Sequence, residues 1–494
     1  MGVAARNLAV VGAIASLAAV TSSAGAANAR HATHATPAVR TYRTHGTAPL
    51  ATAVVDPALF NSSEREKAFA LARSASATYV RIAVSWSAIA PSTRPDRFVA
   101  TDPTSPGYNW DGLDTVVRQA EAAGVTPILD VSDTPSWAFA KRPQGVDAGT
   151  PKASALGDFA QALATHFNGT GGLPAEHLFE VWNEVNNSLF LGPSISASSY
   201  RGMVNALAAG VHAVDPKNLV VAGDLDPFGH PKSHKQKWYS VAPLAFMRSL
   251  LCLSKGSHPH ATCHSAAHFD VWAHHPYTFG GPFGHAKNPD NVELGDLPRM
   301  WAVLQAGTRL HHVVSAHRVQ FWATEFGWDT NPPRKHAASL GLAARWTAES
   351  MYQAWRSGVT LFTWFDLQDR SSPSPYQSGL YFHSKSLESA RAKPVRTAFR
   401  FPFVAYLHKT TVSVWGRDAT SDNERVTIQF RHGKSGRWST VAYNLANSRG
   451  IFKATLKLKA TTKDWLRASA TGSGNSLAFS LTVPNEPHIG PWGK

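Results

Sequence analysis

Residues 79–86 read Tyr-Val-Arg-Ile-Ala-Val-Ser-Trp, a mostly apolar run that predicts a β-strand. The loop that follows ends at residues 107–111, Gly-Tyr-Asn-Trp-Asp, whose asparagine or aspartate can cap a helix. Residues 113–120 then place apolar side chains on one helical face, and Gly124 marks the end of that helix. A second apolar run at residues 125–131 completes a strand, a helix and a strand, which is the repeating unit of a parallel sheet.

The same alternation of apolar runs and amphipathic stretches recurs through most of the chain. Strand candidates lie at residues 52–55, 79–86, 125–131, 178–184, 219–222, 269–273, 319–324 and 359–364. Eight such units within residues 49–403 predict an α/β fold of the (β/α)8 TIM barrel type. A doubly wound open sheet is the alternative, although no glycine-rich dinucleotide-binding motif follows any of these strands.

The pattern of apolar and polar residues changes after residue 403, where the predicted barrel ends. Residues 404–485 contain short alternating runs separated by Gly, Asn, Ser and Asp, which predicts a small antiparallel β-sandwich domain followed by a tail at residues 486–494. Trp415, Trp438 and Trp465 are candidates for stacking on sugars, but aromatic residues in so small a domain more often belong to its core. We therefore expect this domain to support the barrel and to dock on its last helix.

The amino-terminal segment has the features of an export signal. Arg6 precedes an apolar run at residues 8–20 and a series of small residues, which predicts a signal peptide over residues 1–29. Residues 30–48 are rich in His, Thr, Ala and Pro and predict a flexible lead-in. Since no other run of about 20 apolar residues occurs, we expect a secreted protein without a membrane span.

The chain contains two cysteines, Cys252 and Cys263, and in an exported protein such a pair predicts a disulfide. A zinc site is the alternative, because four histidines lie between or beside them: His258, His260, His264 and His268. Their spacing does not follow a regular ligand pattern, so we expect neither a metal nor another cofactor.

The formal net charge of the 494 residues is +15. Nucleic acid is not the expected partner, because the basic residues are scattered along the chain rather than clustered on one periodic face. An acidic polysaccharide is a more natural polyanion for an exported protein. A generally basic surface without a dedicated partner is the other interpretation.

Two glutamates follow apolar strand candidates, Glu184 after residues 178–183 and Glu325 after residues 319–324. Burying an unpaired carboxylate is costly, so packing alone does not place one at the tip of a core strand. Carboxylates at the carboxyl ends of barrel strands meet at one face, where enzymes of this fold place their active sites. Two carboxylates are what the cleavage of a glycosidic bond requires.

Around these glutamates the chain resembles the retaining glycoside hydrolases of clan A, most of all family 39 and relatives in family 5. The pair Asn183-Glu184 is similar to the Asn-Glu pair of that clan on the fourth strand, and Glu325 in Ala-Thr-Glu-Phe-Gly resembles the nucleophile on the seventh. The resemblance covers roughly residues 50–400. We expect substrate-binding roles for Arg81, Asn183, His275, Tyr277, Trp364 and Trp137.

The resemblance implies a secreted retaining glycosidase that acts on an oligo- or polysaccharide by double displacement. Glu325 would be the nucleophile and Glu184 the general acid/base, with their carboxyl groups about 5–5.5 Å apart. Arg81 and the Tyr277 hydroxyl would keep Glu325 ionised, while less polar surroundings would raise the pKa of Glu184. Trp364 would offer an apolar platform to a sugar face.

Three points remain open in the sequence. A catalytically silent sugar-binding barrel is one alternative, although it would not need both glutamates. A metal-dependent barrel hydrolase is another, although only His274 and His275 lie near a strand tip. Of these two, His275 is the expected site residue because it has the His-x-Tyr spacing.

Overall fold

The computed structural model describes residues 39–141, 149–233, 238–371, 374, 376–419 and 425–483. The predicted signal peptide, residues 30–38 of the lead-in and the predicted tail lie outside the described residues. Eight parallel strands form a closed barrel: β1 Ala51–Val55, β2 Tyr79–Ser85, β3 Thr126–Ser132, β4 Leu178–Val181, β5 Leu219–Leu225, β6 Val271–His274, β7 Gln320–Ala323 and β8 Leu361–Phe365. The last strand pairs with the first, and the predicted TIM barrel is confirmed.

Helices cover the outside of the barrel. They are α1 Pro57–Phe60, α2 Arg65–Ser74, α3 Trp86–Ile89, α4 Asp111–Ala122, α5 Ala153–His166, α6 Ala197–Val214, α7 Pro243–Leu250, α8 Leu297–Arg309, α9 Leu340–Arg356 and α10 Pro394–Arg400. The apolar stripe predicted between residues 113 and 120 is the buried face of α4. Apolar periodicity therefore located this helix correctly.

The side chains that point into the barrel form two layers. The lower layer is apolar and consists of Ala53, Ile128, Leu178, Val221, Val271, Ala273, Trp322 and Leu361. Because side chains alternate along a strand, the residue two positions further on also points inward. On β2, β3 and β4 that residue is charged: it is Arg81, Asp130 and Glu180. A polar layer thus lies directly above the apolar one.

The carboxy-terminal domain consists of two sheets. Its main strands are β9 Phe403–His408, β10 Thr411–Arg417, β11 Arg425–Arg431, β12 Ser439–Leu445, β13 Ile451–Lys457 and β14 Trp465–Ala470, followed by β15 Gly474–Asn475 and β16 Phe479–Ser480. Strands β9, β10 and β13 form one antiparallel sheet, and β12, β11, β14, β15 and β16 form the other. The predicted antiparallel β-domain is present.

The lead-in predicted to be flexible contains a strand, Arg40–Arg43, which pairs in parallel with β12. Thr44 continues the contact, since its hydroxyl donates to Asn444 Oδ1 at 3.1 Å. The prediction of flexibility was therefore wrong for these residues. Local composition could not reveal the strand, because its hydrogen-bonding partner lies about 400 residues away.

The β-domain docks on α9, the helix between β7 and β8. Trp415 is only 2% exposed, and its ring lies 5.4 Å from that of Tyr352 and 5.5 Å from that of Trp355, both on α9. Nearer the start of this helix, Arg345 donates to Ser480 Oγ at 2.8 Å. Trp415 belongs to the core. The expected last helix, α10, also contacts the domain, since Arg400 Nη1 donates to the Ser473 carbonyl at 2.8 Å.

The predicted disulfide is present: Cys252 and Cys263 are bonded, shortly after α7. Within the described ranges, no three His, Cys, Asp or Glu side chains are grouped so that they could hold a metal ion. No helix in the described part of the chain has the length and apolar character needed to cross a membrane.

The replacement Trp415→Ala should lower the free energy of unfolding by about 3–5 kcal/mol, because it empties a buried site at the contact between the two domains. Urea unfolding of the purified protein measures this loss. Trp438→Ala in the same domain is the matched control, since its half-buried ring is flanked by Arg431 and Arg467 rather than by the barrel. Equal losses in the two variants would contradict the proposed role of Trp415.

Candidate active site

Arg81 occupies the centre of the polar layer at the carboxyl ends of the strands. Its Nε donates to Glu180 Oε2 at 2.6 Å, and its Nη2 donates to Asn183 Oδ1 at 3.1 Å and lies 3.0 Å from Asp130 Oδ2. Its Nη1 lies 3.6 Å from Glu325 Oε2. The guanidinium is 4% exposed, so a single buried cation connects four strand ends.

The acidic residues around Arg81 do not share one protonation state. Burial raises the pKa of Asp130 to about 6, although Arg81 opposes the shift. Burial also raises the pKa of Glu180, which lies among Asp224 and Asp130. For Asp224, burial is outweighed by hydrogen bonds from His275 and Glu180, so its pKa is lowered. The cluster can therefore hold protons without accumulating the full negative charge of its carboxyl groups.

Glu184 lies three residues beyond the end of β4, in a turn with unusual backbone geometry. Trp182 has φ 71° and Glu184 has φ 42°, values in the left-handed region that non-glycine residues seldom adopt. Two hydrogen bonds hold the turn. Trp182 Nε1 donates to the Phe190 carbonyl at 2.8 Å, and Arg81 Nη2 donates to Asn183 Oδ1. The strained turn directs Glu184 toward the barrel axis, a typical arrangement at functional sites.

His275 links Glu184 to the buried Asp224. Its Nδ1 lies 3.1 Å from Glu184 Oε1, and its Nε2 lies 3.5 Å from Asp224 Oδ1. Burial alone would lower the pKa of His275, but Glu325, Asp224 and Glu184 together raise it to about 10, so the ring is an imidazolium at neutral pH. Burial raises the pKa of Glu184, and the bond to His275 opposes this shift.

His274 has a different environment from its neighbour. Its Nε2 lies 2.9 Å from the Val292 carbonyl, and burial lowers its pKa to about 3. Ala273 points into the barrel, so alternation along the chain turns His275 inward and His274 outward. Of the two histidines, His275 is thus the one that contacts Glu184.

Glu325 lies two residues beyond the end of β7 and is bonded to Tyr277. The Tyr277 hydroxyl donates to Glu325 Oε1 at 2.7 Å, while Arg81 approaches the other carboxyl oxygen. Burial raises the pKa of Tyr277 well above 10, so the hydroxyl remains a donor. Gly327 allows this segment to pass close to β8, since a Cβ there would stand 2.2 Å from the Phe365 carbonyl oxygen.

The expectation that Trp364 offers a platform to a sugar was wrong. Its ring is fully buried, its Nε1 donates to the Ser378 carbonyl at 2.7 Å, and it packs against Phe326 and Phe399. Trp364 is paired with Val54 on the outer side of the barrel, and alternation along β8 turns Phe365 inward instead.

Phe365 and Tyr376 form the aromatic surface that the sequence did not reveal. Phe365 is half-buried, and the ring of Tyr376 lies 5.3 Å from it in an edge-on arrangement. Tyr376 is 53% exposed. Burial raises the pKa of Tyr376, and the charges of Glu325 and Glu184 add to the shift.

Trp137 lies in the short helical turn Ser136–Ala138 after β3 and is half-buried. Its Nε1 donates to the Pro91 carbonyl at 2.8 Å, and its ring packs on Trp86 and Phe98. These contacts belong to the loop after β2. The structure therefore brings together Arg81, Asn183, Glu184, His275, Tyr277 and Glu325, with Trp137 among the loops at the same end of the barrel.

Sequence reasoning missed three buried acids, Asp130, Glu180 and Asp224. A signal was present for Asp130 and Glu180, because each follows an inward-pointing apolar residue by two positions. Asp224 stands three positions after Val221, next to a register shift, so alternation alone would not have found it. A charged residue in such a position is almost never buried without a partner. Searching the strands for interior charges, as well as their ends, would have identified this cluster.

The comparisons with known proteins concern the family and the fold of the chain. A family model described as Cellulase (glycosyl hydrolase family 5) matches residues 33–293, more than half of the 494 residues. The matched stretch includes Arg81, Glu184, His275 and Tyr277 and ends before Glu325. No curated protein matches the chain.

Among solved structures, the chain is similar to a family 39 glycoside hydrolase from the gut symbiont Bacteroides cellulosilyticus WH2, with 15% identity, a TM-score of 0.50, and coverage of 86% of this chain and 81% of that chain. The endoglucanase Cel5A from Thermotoga maritima shares 13% identity at a TM-score of 0.42, over 71% of this chain and 96% of that chain. The first of these likenesses concerns the fold. By its sequence match, the chain belongs to glycosyl hydrolase family 5, the family described as cellulase, and is a retaining glycosidase.

Proposed function

We propose that the protein is a secreted glycosidase that cleaves O-glycosidic bonds of an oligo- or polysaccharide by double displacement, with Glu325 as nucleophile and Glu184 as general acid/base. The observation that carries this assignment is the difference between the two carboxyl groups. Glu325 is contacted by a permanent cation and a hydroxyl donor, from Arg81 and Tyr277. Glu184 has a pKa raised by burial, which suits a group that must hold a proton before the reaction.

The proposed chemistry has two steps. In the first, Glu325 attacks the anomeric carbon while the proton of Glu184 passes to the leaving oxygen, which forms a glycosyl ester on Glu325. In the second, Glu184 takes a proton from water, the water oxygen attacks the anomeric carbon, and Glu325 leaves as a carboxylate. Arg81 and Tyr277 stabilise the carboxylate that is consumed and regenerated, and His275 holds the Glu184 carboxyl in place.

Asn183 and the aromatic residues supply substrate contacts in this proposal. Because Asn183 Oδ1 accepts from Arg81, its amino group is the part that can donate to a sugar hydroxyl. Phe365, at the end of β8, and the exposed ring of Tyr376 are the proposed apolar surface for a sugar, since Trp364 is fully buried. Trp137 extends the binding surface over the loop after β2.

Export and an anionic substrate are supported by the sequence. The signal-like segment at residues 1–29 is the basis for secretion. The net charge of +15 favours a polysaccharide that bears acidic groups over a neutral one, because long-range attraction concentrates anionic ligands near the surface.

Replacement of the two glutamates should give different losses. Glu325→Ala should abolish turnover of every substrate, because no other group can form the glycosyl ester. Glu184→Ala should lower kcat by about 10²–10⁴-fold on substrates with poor leaving groups and much less on aryl glycosides with good ones. Added azide should restore turnover of Glu184→Ala on such glycosides by attacking the ester.

The control for these variants is Glu388→Ala, since that side chain is 76% exposed and is paired with Lys67 rather than with a residue of the site. Steady-state kinetics with and without azide measures all three variants. If azide rescued Glu325→Ala and gave a product of retained configuration, the roles of the two glutamates would be reversed. If azide did not rescue Glu184→Ala, the role of Glu184 as general acid/base would be refuted.

The product of the native enzyme should keep the anomeric configuration of the substrate. Proton NMR of the first-formed hemiacetal, recorded before mutarotation, distinguishes the two outcomes. An inverted product would require a water between the carboxyl groups and a separation of about 6.5–9.5 Å, and it would contradict the nucleophilic role of Glu325.

The basic limb of the pH profile should move upward in His275→Gln. The imidazolium favours the ionised form of Glu184, so its loss raises the pKa of that group and keeps it protonated to higher pH. A shift of about one unit or more is expected, because a charge this close is worth several kcal/mol at an effective dielectric constant of about 20. The profile of kcat against pH measures it.

His274→Gln is the matched control for this shift. Its ring is neutral at neutral pH and contacts the Val292 carbonyl, so its replacement should leave the basic limb unchanged. A downward shift in His275→Gln, or an equal shift in both variants, would show that His275 does not act through Glu184.

A further inference from the structure

The β-domain sheet that contains β11 has one face in the domain core and one face in solvent. Along β11, Val426, Ile428 and Phe430 are buried, whereas the side chains that alternate with them, up to Arg431, are partly exposed. The strand Arg40–Arg43, β12, β11 and β14 lie side by side in this sheet, and together they contain five arginines and no acidic residue. The sheet therefore carries an excess of positive charge, and none of these residues belongs to the candidate active site.

Trp438, the residue before β12, brings two of these arginines together. The guanidinium carbon of Arg431 lies 4.6 Å from the centre of the Trp438 ring, and that of Arg467 lies 4.4 Å from it. Arg431 also lies 5.4 Å from the ring of Trp465, its register partner on β14. A guanidinium that stacks on an aromatic ring still has donors at its edges, because stacking uses only its flat face.

The terminal nitrogens of these two arginines lack acceptors. Arg467 Nε donates to Gln429 Oε1 at 2.7 Å, whereas Arg431 Nε is buried without a partner. Neither side chain makes a further hydrogen bond or an ion pair within the described ranges, and both side chains are partly exposed. Burial lowers the pKa of Arg467, and the neighbouring charge of Arg431 lowers it further. An anion bound by both guanidinium groups would offset this repulsion.

Arg425 and Arg43 extend the basic surface along the sheet. Both are register partners of Leu445 on β12, one on each side of it. Arg425 is exposed, and its guanidinium carbon lies 4.6 Å from the centre of the Tyr443 ring. Because a strand rises about 3.3 Å per residue, Arg425 and Arg431 stand roughly 20 Å apart along β11. Arginines that are scattered in the sequence are thus gathered on one face.

We refer to this surface as the arginine face, which consists of Arg43, Arg425, Arg431 and Arg467 with the rings of Trp438 and Tyr443. We propose that the arginine face binds an acidic polysaccharide, whose carboxylate or sulfate groups accept paired hydrogen bonds from the Nη1 and Nη2 groups of Arg431 and Arg467. One guanidinium offers two parallel donors to such a group. The rings fix the direction of the guanidinium groups before the ligand arrives, which lowers the entropy cost of binding.

A glycan fits the arginine face better than a nucleic acid does. Trp438 already carries two guanidinium groups, whereas single-stranded nucleic acid is bound by stacking its bases on free aromatic rings. The length of the face allows contacts with several units of a polymer at once. The chain also belongs to a family of glycosidases. The inference does not depend on the catalytic roles proposed above, because the face lies on the β-domain.

Calorimetric titration of the full-length protein at low ionic strength tests the proposal. Polygalacturonate and dextran sulfate are the acidic probes, and uncharged dextran is the neutral match. The acidic polymers should bind with saturable isotherms that dextran lacks. The double variant Arg431→Met/Arg467→Met should weaken binding by about tenfold or more, because two pairs of charge-assisted hydrogen bonds are lost.

Arg309→Met is the matched control for the loss of positive charge, since Arg309 is an exposed arginine at the end of α8. Its replacement should leave binding unchanged. Arg425→Met should weaken binding as well, and it serves in place of the double variant if that protein does not fold. An equal loss in Arg309→Met and Arg425→Met would show attraction to net charge alone and overturn the proposal.

The choice of polymer identifies the anionic group. Tighter binding of polygalacturonate identifies a carboxylate ligand, and tighter binding of dextran sulfate identifies a sulfated one. Duplex DNA that binds through the same arginines as tightly as either polymer would show a nucleic-acid surface and overturn the proposal. Absence of binding to both acidic polymers, or binding that is unchanged in the double variant and in Arg425→Met, overturns it too.

Discussion

The active end of this barrel depends on one buried guanidinium. Arg81 contacts Asp130 on β3 and Glu180 on β4. It also contacts Asn183 in the turn after β4 and Glu325 after β7, so three of its four partners are acidic. A lysine could not replace it, because an ammonium has no planar fork with which to hold several acceptors in fixed directions. Every other feature of the site is arranged around this charge, which the apolar layer beneath it shields from water.

Charge neutrality explains why so many acids are tolerated there. Arg81 and the imidazolium of His275 are the two cations among five acidic side chains. Burial raises the pKa values of Glu180 and Glu184, which favours protons on these groups and lowers the negative charge of the layer. The polar layer therefore behaves as one electrostatic unit, and a change at any member alters the protonation of the others.

The barrel and the pairing of the glutamates could be predicted because their signals are local. Strand and helix periods are visible in single segments, and Glu184 and Glu325 each stand beside a recognisable strand. Trp364 was misjudged because a shift of one residue along β8 exchanges the inner and outer faces, and the sequence near residue 364 is apolar on both. The strand at Arg40–Arg43 and the docking of Trp415 on α9 depend on contacts between distant segments, which no local pattern reveals.

The parallel pairing of Arg40–Arg43 with β12 has a consequence for the order of folding. The barrel lies in sequence between these two strands, so the sheet of the β-domain is completed only after almost the whole chain has been synthesised. Loops of that length close slowly, since the loss of chain entropy precedes the gain in contacts. The barrel can close first, and Arg40–Arg43 then pairs with β12 last. The described segments that precede and follow the barrel in sequence are thus joined to each other only after the barrel has formed.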